Sequence, residues 1–221
     1  MTDAAVLGRP TEKEHPPVTT DARTTILLAA ERLFAERGVE FVSLRQIGER
    51  AGQRNNSAVQ YHFGTKEGLI RALYDLRLVP LQEERGRLLA AHERPSLPDL
   101  ADAYVTPLAD LVIGSRGGSA YARFIDRYLG RGRDFEPFDD RHSHSSQEVR
   151  RLMAAHLAGV PDDVREERLR LVQVMVTRSL ADLEQRLEDG NADATEAHLT
   201  VEVLLRAVVD VLSASRETPT C

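Results

Sequence analysis

The most constraining feature of this sequence is its apolar pattern, because apolar residues recur at intervals of three and four along most of the chain. This spacing places side chains on one face of an α-helix, whereas a half-buried strand would alternate apolar and polar residues. No segment shows that alternation, and no repeat has the length typical of solenoid proteins. The sequence therefore predicts an all-α fold. Its core must be aliphatic, since tryptophan is absent and aromatic residues make up 5% of the chain.

Length and composition exclude several classes of protein. A chain of 221 residues with 42% apolar residues is typical of one large or two small globular domains. The single cysteine, Cys221, excludes an internal disulfide and a cysteine-rich zinc site. No apolar run approaches the length of a membrane span, and residues 1–20 hold three prolines and no apolar block. We therefore expect no secretory signal, no membrane partner and a reduced, cytoplasmic protein.

Charge is distributed unevenly along a chain whose net charge is −6. Residues 19–77 hold nine basic and seven acidic side chains, whereas residues 78–221 hold 18 basic and 25 acidic ones. A mildly basic N-terminal part and an acidic remainder fit a chain that contacts phosphate at one end only.

The pattern divides the chain into three parts. Residues 1–19, rich in Pro, Thr and charge, predict a disordered arm. Residues 20–79 predict four short helices. Gly38 ends the first, Ser43 opens the second in a capping box with Gln46, and Gly64 breaks the third. Pro80 is expected to bend or end the fourth.

Residues 80–221 predict a larger helical domain. The expected helices have approximate bounds of 81–93, 98–113, 119–129, 147–158, 162–188 and 194–214. Residues 130–146 are rich in Gly, Asp, His and Ser and predict a loop. A metal or pH-sensing role for His142 and His144 is the alternative to a mobile loop, and we favour the loop because an isolated His-x-His is weak evidence for a metal site. We predict no metal ion and no cofactor.

Two short helices with a glycine turn between them, the second preceded by small polar residues, are typical of a helix-turn-helix. Asn and Gln side chains can pair with adenine and Arg with guanine in the major groove, while phenol, imidazole and ammonium groups suit phosphate oxygens. A solvated polar turn is the alternative interpretation. The candidate DNA-binding residues are Arg45, Arg54, Asn55, Asn56, Ser57, Gln60, Tyr61, His62 and Lys66.

Residues 20–79 resemble the N-terminal domain of TetR-family transcriptional regulators. The resemblance rests on two stretches, ILLAAERLFAERGVEFVSLRQIGERAG and VQYHFGTKEGLIRAL. The interval from Gly52 to Phe63 is one residue longer than the family commonly has, which leaves open whether Arg54, Asn55 or Asn56 faces the bases.

This resemblance implies a homodimer that is held together by the two C-terminal helices of each subunit. It also implies middle helices that surround a small-molecule pocket, and a fourth helix that shifts when the ligand binds. After this shift, the two recognition helices of the dimer, one from each subunit, would no longer fit successive major grooves of double-stranded operator DNA. Broad apolar stripes on the last two predicted helices are consistent with burial against both the body of the subunit and a partner.

The few bulky or polarisable residues of the middle helices are candidates for lining that pocket, although each alone could be ordinary core or surface. Arg178 would need an anionic ligand if it pointed inward and would be a surface charge if it pointed outward. The candidates are Tyr104, Tyr121, Phe124, Tyr128, His156, Met175 and Arg178.

The function that these observations favour is a DNA-binding repressor released from a palindromic operator by a small-molecule effector. An all-helical enzyme is an alternative, although the sequence contains no phosphate loop, nucleophile elbow or HExxH motif and we predict no catalytic residue. A ligand-independent DNA-binding activator is a second alternative. The sequence leaves the effector, the operator and the regulated genes open.

Overall fold

The computed structural model describes residues 21–53, 57–129 and 140–214. Within these ranges the chain forms nine α-helices, one 3₁₀ turn at Val39–Phe41 and no strand, so the all-α prediction is confirmed. The predicted arm at residues 1–19 lies outside the described residues. The helices are α1 (Ala22–Arg37), α2 (Leu44–Arg50), α3 (Ala58–Phe63), α4 (Lys66–Ala90), α5 (Leu97–Gly114), α6 (Tyr121–Leu129), α7 (Asp140–His156), α8 (Asp162–Glu188) and α9 (Ala194–Ser213).

The first three helices form a small unit that we call the head. Its core contains Ile26 and Phe34 of α1, Ile47 of α2 and Val59 of α3, none of which is exposed to solvent. The predicted capping box is present, since Ser43 Oγ accepts from the Gln46 amide at 3.3 Å and Gln46 Oε1 accepts from the Ser43 amide at 2.8 Å. The apolar spacing and the cap together fix where α2 begins and which face it buries.

The turn between α3 and α4 depends on two glycines. Gly64 has a φ of 69°, a conformation that other residues rarely adopt. A Cβ atom at Gly68 would collide with the carbonyl oxygen of Phe63. Thr65 Oγ1 caps α4 by accepting from the Gly68 amide at 3.1 Å. These constraints hold the end of α3 close to the start of α4.

Helix α4 continues through Pro80 to Ala90. Of the two predicted effects of Pro80, a bend or an end, the end was wrong, and so was the prediction of a separate helix from residue 81. Proline removes one backbone hydrogen bond from a helix interior. Here Pro80 is exposed, while Leu73, Tyr74, Leu81 and Gln82 are buried on both sides of it along the helix. Burial of these side chains outweighs the local cost, and α4 connects the head to the body, which consists of α5 to α9.

The loop prediction was also wrong for residues 140–146, which form the first turns of α7. Residues 130–139 lie outside the described residues. Two polar side chains near the start of α7 are buried: Ser145 Oγ donates to the carbonyl oxygen of Gln82 at 2.9 Å, and His142 Nε2 lies 2.8 Å from Asp75 Oδ1. The helix is therefore held by hydrogen bonds to α4 that a local reading of the sequence does not reveal. The described residues contain no group of three or more His, Cys, Asp or Glu side chains that could hold a metal ion.

Helices α8 and α9 are the two long helices at the C-terminal end of the body. Their inner faces bury Val172, Val176 and Leu180 of α8 and Leu204 and Val208 of α9. None of the described helices combines the length and the apolar character that crossing a membrane requires.

Candidate DNA-recognition surface and ligand cavity

The short helix α3 separates its residues into a buried and an exposed face. Val59 and Phe63 are buried in the head, whereas Ser57, Gln60 and Tyr61 are exposed, and Tyr61 exposes 86% of its surface. The side-chain amide of Gln60 is thus exposed to solvent, while the opposite side of α3 is buried in the core of the head. An exposed polar face on a rigid short helix can enter a major groove and pair with base edges.

Tyr61, His62 and Lys66 lie at the end of α3 and the start of α4. The rings of Tyr61 and His62 meet edge to face with their centres 5.3 Å apart. Lys66 is the first residue of α4 and is half-buried, and this burial lowers its pKa while the neighbouring Glu67 acts in the opposite direction. An ammonium group at a helix N-terminus, where backbone amides point outward, suits a phosphate oxygen.

Arg45 lies on α2 and is exposed. Its Nε donates to Glu49 Oε1 at 2.8 Å, and this hydrogen bond raises the pKa of Arg45. The predicted residues Arg54, Asn55 and Asn56 lie outside the described residues, so which of them faces the bases stays a prediction. The DNA-contacting roles of the other six candidates also stay predictions.

A residue that sequence reasoning missed in this region is Arg23, whose guanidinium carbon lies 5.2 Å from the centre of the Phe63 ring. A cation in the first turn of a helix is unfavourable for the helix dipole. Nothing in the local sequence indicates that Phe63 is its neighbour.

A cavity of about 470 Å³ lies in the body between α4, α5, α6, α7 and α8. This volume falls within the range of small-molecule sites. One part of its wall is aliphatic and is formed by Leu78, Leu81, Leu108, Ile125 and Val176. Another part is polar and includes Gln82, Ser143, Ser146, Gln147, Gln173 and Thr177.

Arg85 is the fixed positive charge of this wall and is 6% exposed. Its Nε donates to the carbonyl oxygen of Ala103 at 3.1 Å and its NH2 group lies 3.5 Å from that of Tyr104. Its guanidinium carbon also lies 5.8 Å from the centre of the Tyr104 ring. No described carboxylate forms an ion pair with it, and burial lowers its pKa. Arg85 is therefore a buried cation whose partners in the described chain are neutral.

Two of the predicted ligand-binding tyrosines, Tyr104 and Tyr121, line the cavity. Burial raises the pKa of both hydroxyl groups. The Tyr121 hydroxyl is buried, and no described residue offers it a hydrogen bond. Phe124 and Tyr128 lie outside the cavity, in an aromatic cluster with Tyr74 where the ring centres are 5.6 to 6.1 Å apart.

The other three predicted ligand-binding residues also lie outside the cavity. Met175 lines a groove between α8 and α9, and His156 is exposed with its Nε2 2.9 Å from the carbonyl oxygen of Pro95. Arg178 is on the surface, where its side chain is 72% exposed and its NH1 group lies 3.1 Å from Asp126 Oδ2. The outward alternative that the sequence left open for Arg178 is the one that the structure shows.

The cavity-lining cation that sequence reasoning missed is Arg85 of α4. Residues 78, 81, 82, 85, 88 and 89 fall at helical spacing, and in this stripe Gln82 and Arg85 interrupt four leucines. A cation within an apolar stripe is the signal that could have identified it. Five of these six positions lie in the predicted helix 81–93, so the stripe was open to sequence analysis.

One buried ion pair and several hydrogen bonds join the head to α4 and α6. The Glu31 carboxylate of α1 accepts from Arg77 of α4 at 2.7 and 3.0 Å and from the Ala120 amide before α6 at 2.9 Å. In the last turn of α6, Arg127 donates to the carbonyl oxygens of Ala35 and Glu36 at 2.8 Å each. Helices α4 and α6 both line the cavity, so the cavity wall and the head share structural elements.

Comparison with known proteins places the chain in a family. Residues 26–73 match the bacterial regulatory proteins of the tetR family, and residues 102–214 match the tetracyclin repressor-like C-terminal domain. The HTH-type transcriptional repressor AcnR of Corynebacterium diphtheriae is 27% identical over 176 residues, which cover 71% of this chain and 92% of that protein. AcnR of Corynebacterium glutamicum is 43% identical over 54 residues, which cover 24% of this chain and only 28% of that relative.

The fold is also similar to a solved structure, that of Mycobacterium smegmatis AmtR. The two share a TM-score of 0.59 and 23% sequence identity, and the similarity covers 93% of this chain and 92% of that one. The C-terminal family match alone spans just over half of the chain, and the N-terminal match contains α2, α3 and their connection. The chain therefore belongs to the tetR family of DNA-binding transcriptional regulators.

Proposed function

We propose that the protein is a homodimeric repressor that binds a palindromic operator through two copies of α3 and is released by a small-molecule effector. The observation that carries the proposal is the exposed polar face of α3, which is rigidly backed by Val59 and Phe63 in the core of the head. Gln60 would read a base edge, and Tyr61, His62 and Lys66 would position the helix on phosphates. Named relatives that act as transcriptional repressors support the sign of the regulation.

The proposed dimer interface is the outer face of α8 and α9. This face exposes four apolar side chains, among them Leu199 at 58% and Val203 at 57%, and borders a groove of about 360 Å³ that includes Met175 and Ala207. The other two are Leu171 and Val174 of α8. A contiguous apolar surface on paired helices is unfavourable in water and suits burial against the same face of a second copy about a twofold axis.

The proposed route from effector to DNA is α4. Its first residue, Lys66, belongs to the recognition surface, and its residues Leu78, Leu81 and Arg85 line the cavity. An effector that prefers one position of α4 would change the separation of the two recognition helices in the dimer. Operator DNA and effector would then compete through one structural element.

We infer a regulatory and not a catalytic role, because both family matches belong to regulators and the two named relatives are repressors. A chromosomal operator as target implies the cytoplasm as the place of action. The proposed partners are operator DNA, a second copy of the chain and a small molecule.

Fluorescence anisotropy with duplexes from the region upstream of the chain's own coding sequence tests DNA binding. We expect one palindromic duplex to bind at least about a thousandfold more tightly than a scrambled duplex, with an affinity that falls steeply with salt. Equal affinity for all candidate duplexes would contradict the proposal. Transcription from the bound promoter in vitro then separates repression from activation.

Substitution of Val203 by Asp tests the dimer interface, because a carboxylate at the centre of an apolar contact costs several kcal/mol. We expect a monomer in sedimentation at micromolar concentration and loss of cooperative operator binding. Thr195→Asp places the same charge at the exposed start of α9, where the helix dipole favours it, and should leave the dimer intact. A monomeric unsubstituted protein would refute the interface.

A further inference from the structure

The cavity of the body combines three features that define a chemical class of ligand. It holds a buried cation, Arg85, whose neighbours in the described chain are neutral. It holds the buried hydroxyl of Tyr121, for which no described residue provides a hydrogen bond. The aliphatic part of its wall lies on α4, α5, α6 and α8.

A buried guanidinium without a carboxylate is costly. Moving a charged group out of water is unfavourable, and an ion pair or a set of strong hydrogen bonds normally offsets much of this cost. The two carbonyl oxygens near Arg85 use its Nε and one terminal nitrogen, at 3.1 and 3.5 Å. No described residue accepts a hydrogen bond from the other terminal nitrogen, NH1, and an anionic ligand would supply both the acceptor and the opposite charge.

The wall also limits what else the ligand can be. Among the fifteen residues that line the cavity, none is Asp or Glu, so the wall does not repel an anion. Because the wall holds one fixed positive charge, it suits a ligand with one negative charge better than a ligand with two or three. The leucines at positions 78, 81 and 108 and the side chains of Ile125 and Val176 would contact an apolar ligand body.

We propose that the cavity binds an amphipathic monocarboxylate, whose carboxylate pairs with Arg85 and accepts a hydrogen bond from Tyr121 while its aliphatic or aromatic part lies against Leu78, Leu81 and Leu108. The proposal rests on the proposed function only in taking this cavity as the effector site. Carboxylate binding would neutralise a cation in the C-terminal half of α4, the helix whose first residue belongs to the recognition surface.

Calorimetry and thermal unfolding of the full chain with octanoate and 3-phenylpropionate test the ligand class. The corresponding neutral amides, octanamide and 3-phenylpropanamide, have nearly the same shape without the charge. We expect at least one acid to bind and to raise the melting temperature with increasing concentration, and its amide to bind at least about tenfold more weakly. Equal binding of acid and amide, or binding of neither acid, overturns the proposal.

Variants at the two polar groups locate the binding site. Arg85→Met keeps most of the side-chain volume and should weaken acid binding about tenfold to a hundredfold, whereas Arg178→Met, which removes an exposed arginine outside the cavity, should leave it unchanged. Tyr121→Phe removes only the hydroxyl and should weaken acid binding about fivefold to tenfold. If Arg85→Met does not fold, Arg85→Gln, which removes the charge but keeps a polar side chain, and Tyr121→Phe carry the test. Acid binding that is unchanged in the foldable cavity variants refutes the assignment.

Operator binding distinguishes failure of this inference from failure of the proposed function. If the acids bind through Arg85 but leave the operator complex intact, the ligand class stands and release by this ligand is refuted. If the protein binds its operator but no acid, the ligand class is refuted and the DNA-binding role stands. A small molecule extracted from the purified protein and detected as a negative ion of one charge would support the proposal, and a cationic one would contradict it.

Discussion

The head and the cavity handle polar groups in opposite ways. On α3 the polar side chains face water and the apolar ones hold the helix in place, so recognition depends on groups that are already hydrated. In the cavity Arg85 and the Tyr121 hydroxyl are buried and have few or no partners in the described chain. The head can therefore bind and release a hydrated polyanion reversibly, whereas the cavity gains most from a ligand that replaces lost water. Exposed polar groups therefore suit a hydrated partner such as DNA, whereas buried polar groups suit a small ligand that is itself removed from water.

The largest expected effect lies where the two regions meet. Glu31→Ala should reduce the free energy of unfolding by about 3–5 kcal/mol, because it leaves the partly buried Arg77 without its carboxylate and the Ala120 amide without its acceptor. Urea denaturation followed by circular dichroism measures the change. If head and body are stable independently of this contact, the loss will be below about 1 kcal/mol.

Glu36→Ala is the matched control for that measurement. Glu36 lies on the same helix, is exposed, and is 3.5 Å from Arg50 NH2. Exposed ion pairs contribute little, so we expect a loss of about 0.5 kcal/mol or less.

The second prediction concerns the turn that positions the recognition helix. Gly68→Ala should destabilise the protein by about 1–3 kcal/mol and weaken operator binding, because the new Cβ collides with the Phe63 carbonyl and displaces the end of α3. Gly86→Ala in the same helix meets open space and should be neutral or stabilising by up to about 1 kcal/mol. Equal effects of the two substitutions on unfolding would show that the turn is not constrained.

The third prediction tests whether the exposed face of α3 contacts the bases through Gln60. In Gln60→Ala, the preference for one base at one position of each half-site should disappear, which is a loss of about 1–3 kcal/mol in binding free energy for the preferred base. The base preferences at the other positions should not change. Selection from duplexes with a randomised half-site measures it. Weakening that is uniform across sequences would assign Gln60 to the backbone instead.

The smallest effect is expected at the phosphate contact. Lys66→Ala should lower the affinity for all duplexes by the same factor. It should also reduce the slope of log affinity against log salt concentration by about one for each subunit. Arg87→Ala removes an exposed cation that is paired with Glu84 on the same helix and should leave the slope unchanged. A change of sequence preference in Lys66→Ala would contradict its placement on the backbone.

Local patterns predicted the head and the last two helices well. The capping box of Ser43 and Gln46 is present, and the predicted bounds 162–188 and 194–214 agree with α8 and α9 within one residue. These elements are determined by caps, glycines and apolar periodicity within a few turns of helix. They could be predicted because the forces that fix them act between residues that are close in sequence.

Contacts distant in sequence explain what could not be predicted. Helix α7 begins with polar residues whose partners, Asp75 and Gln82, lie more than 60 residues earlier in the chain. Burial on both sides of Pro80 likewise depends on helices that pack against α4 from later in the sequence. The cavity has the same origin: Tyr104 and Tyr121 belong to it, whereas Phe124, Tyr128, His156, Met175 and Arg178 lie elsewhere, and helical spacing alone could not separate the two groups.

Because α4 is one continuous helix, it fixes both the distance between its two ends and the rotational position of their side chains about the helix axis. Lys66 and Arg85 are nineteen residues apart on one helix, a separation of about 28 Å along its axis at 1.5 Å per residue. Inserting or deleting one residue between them would rotate Arg85 by about 100° relative to the N-terminal end of the helix and turn it away from Tyr121. Tolerance to changes in chain length should therefore be low in this interval.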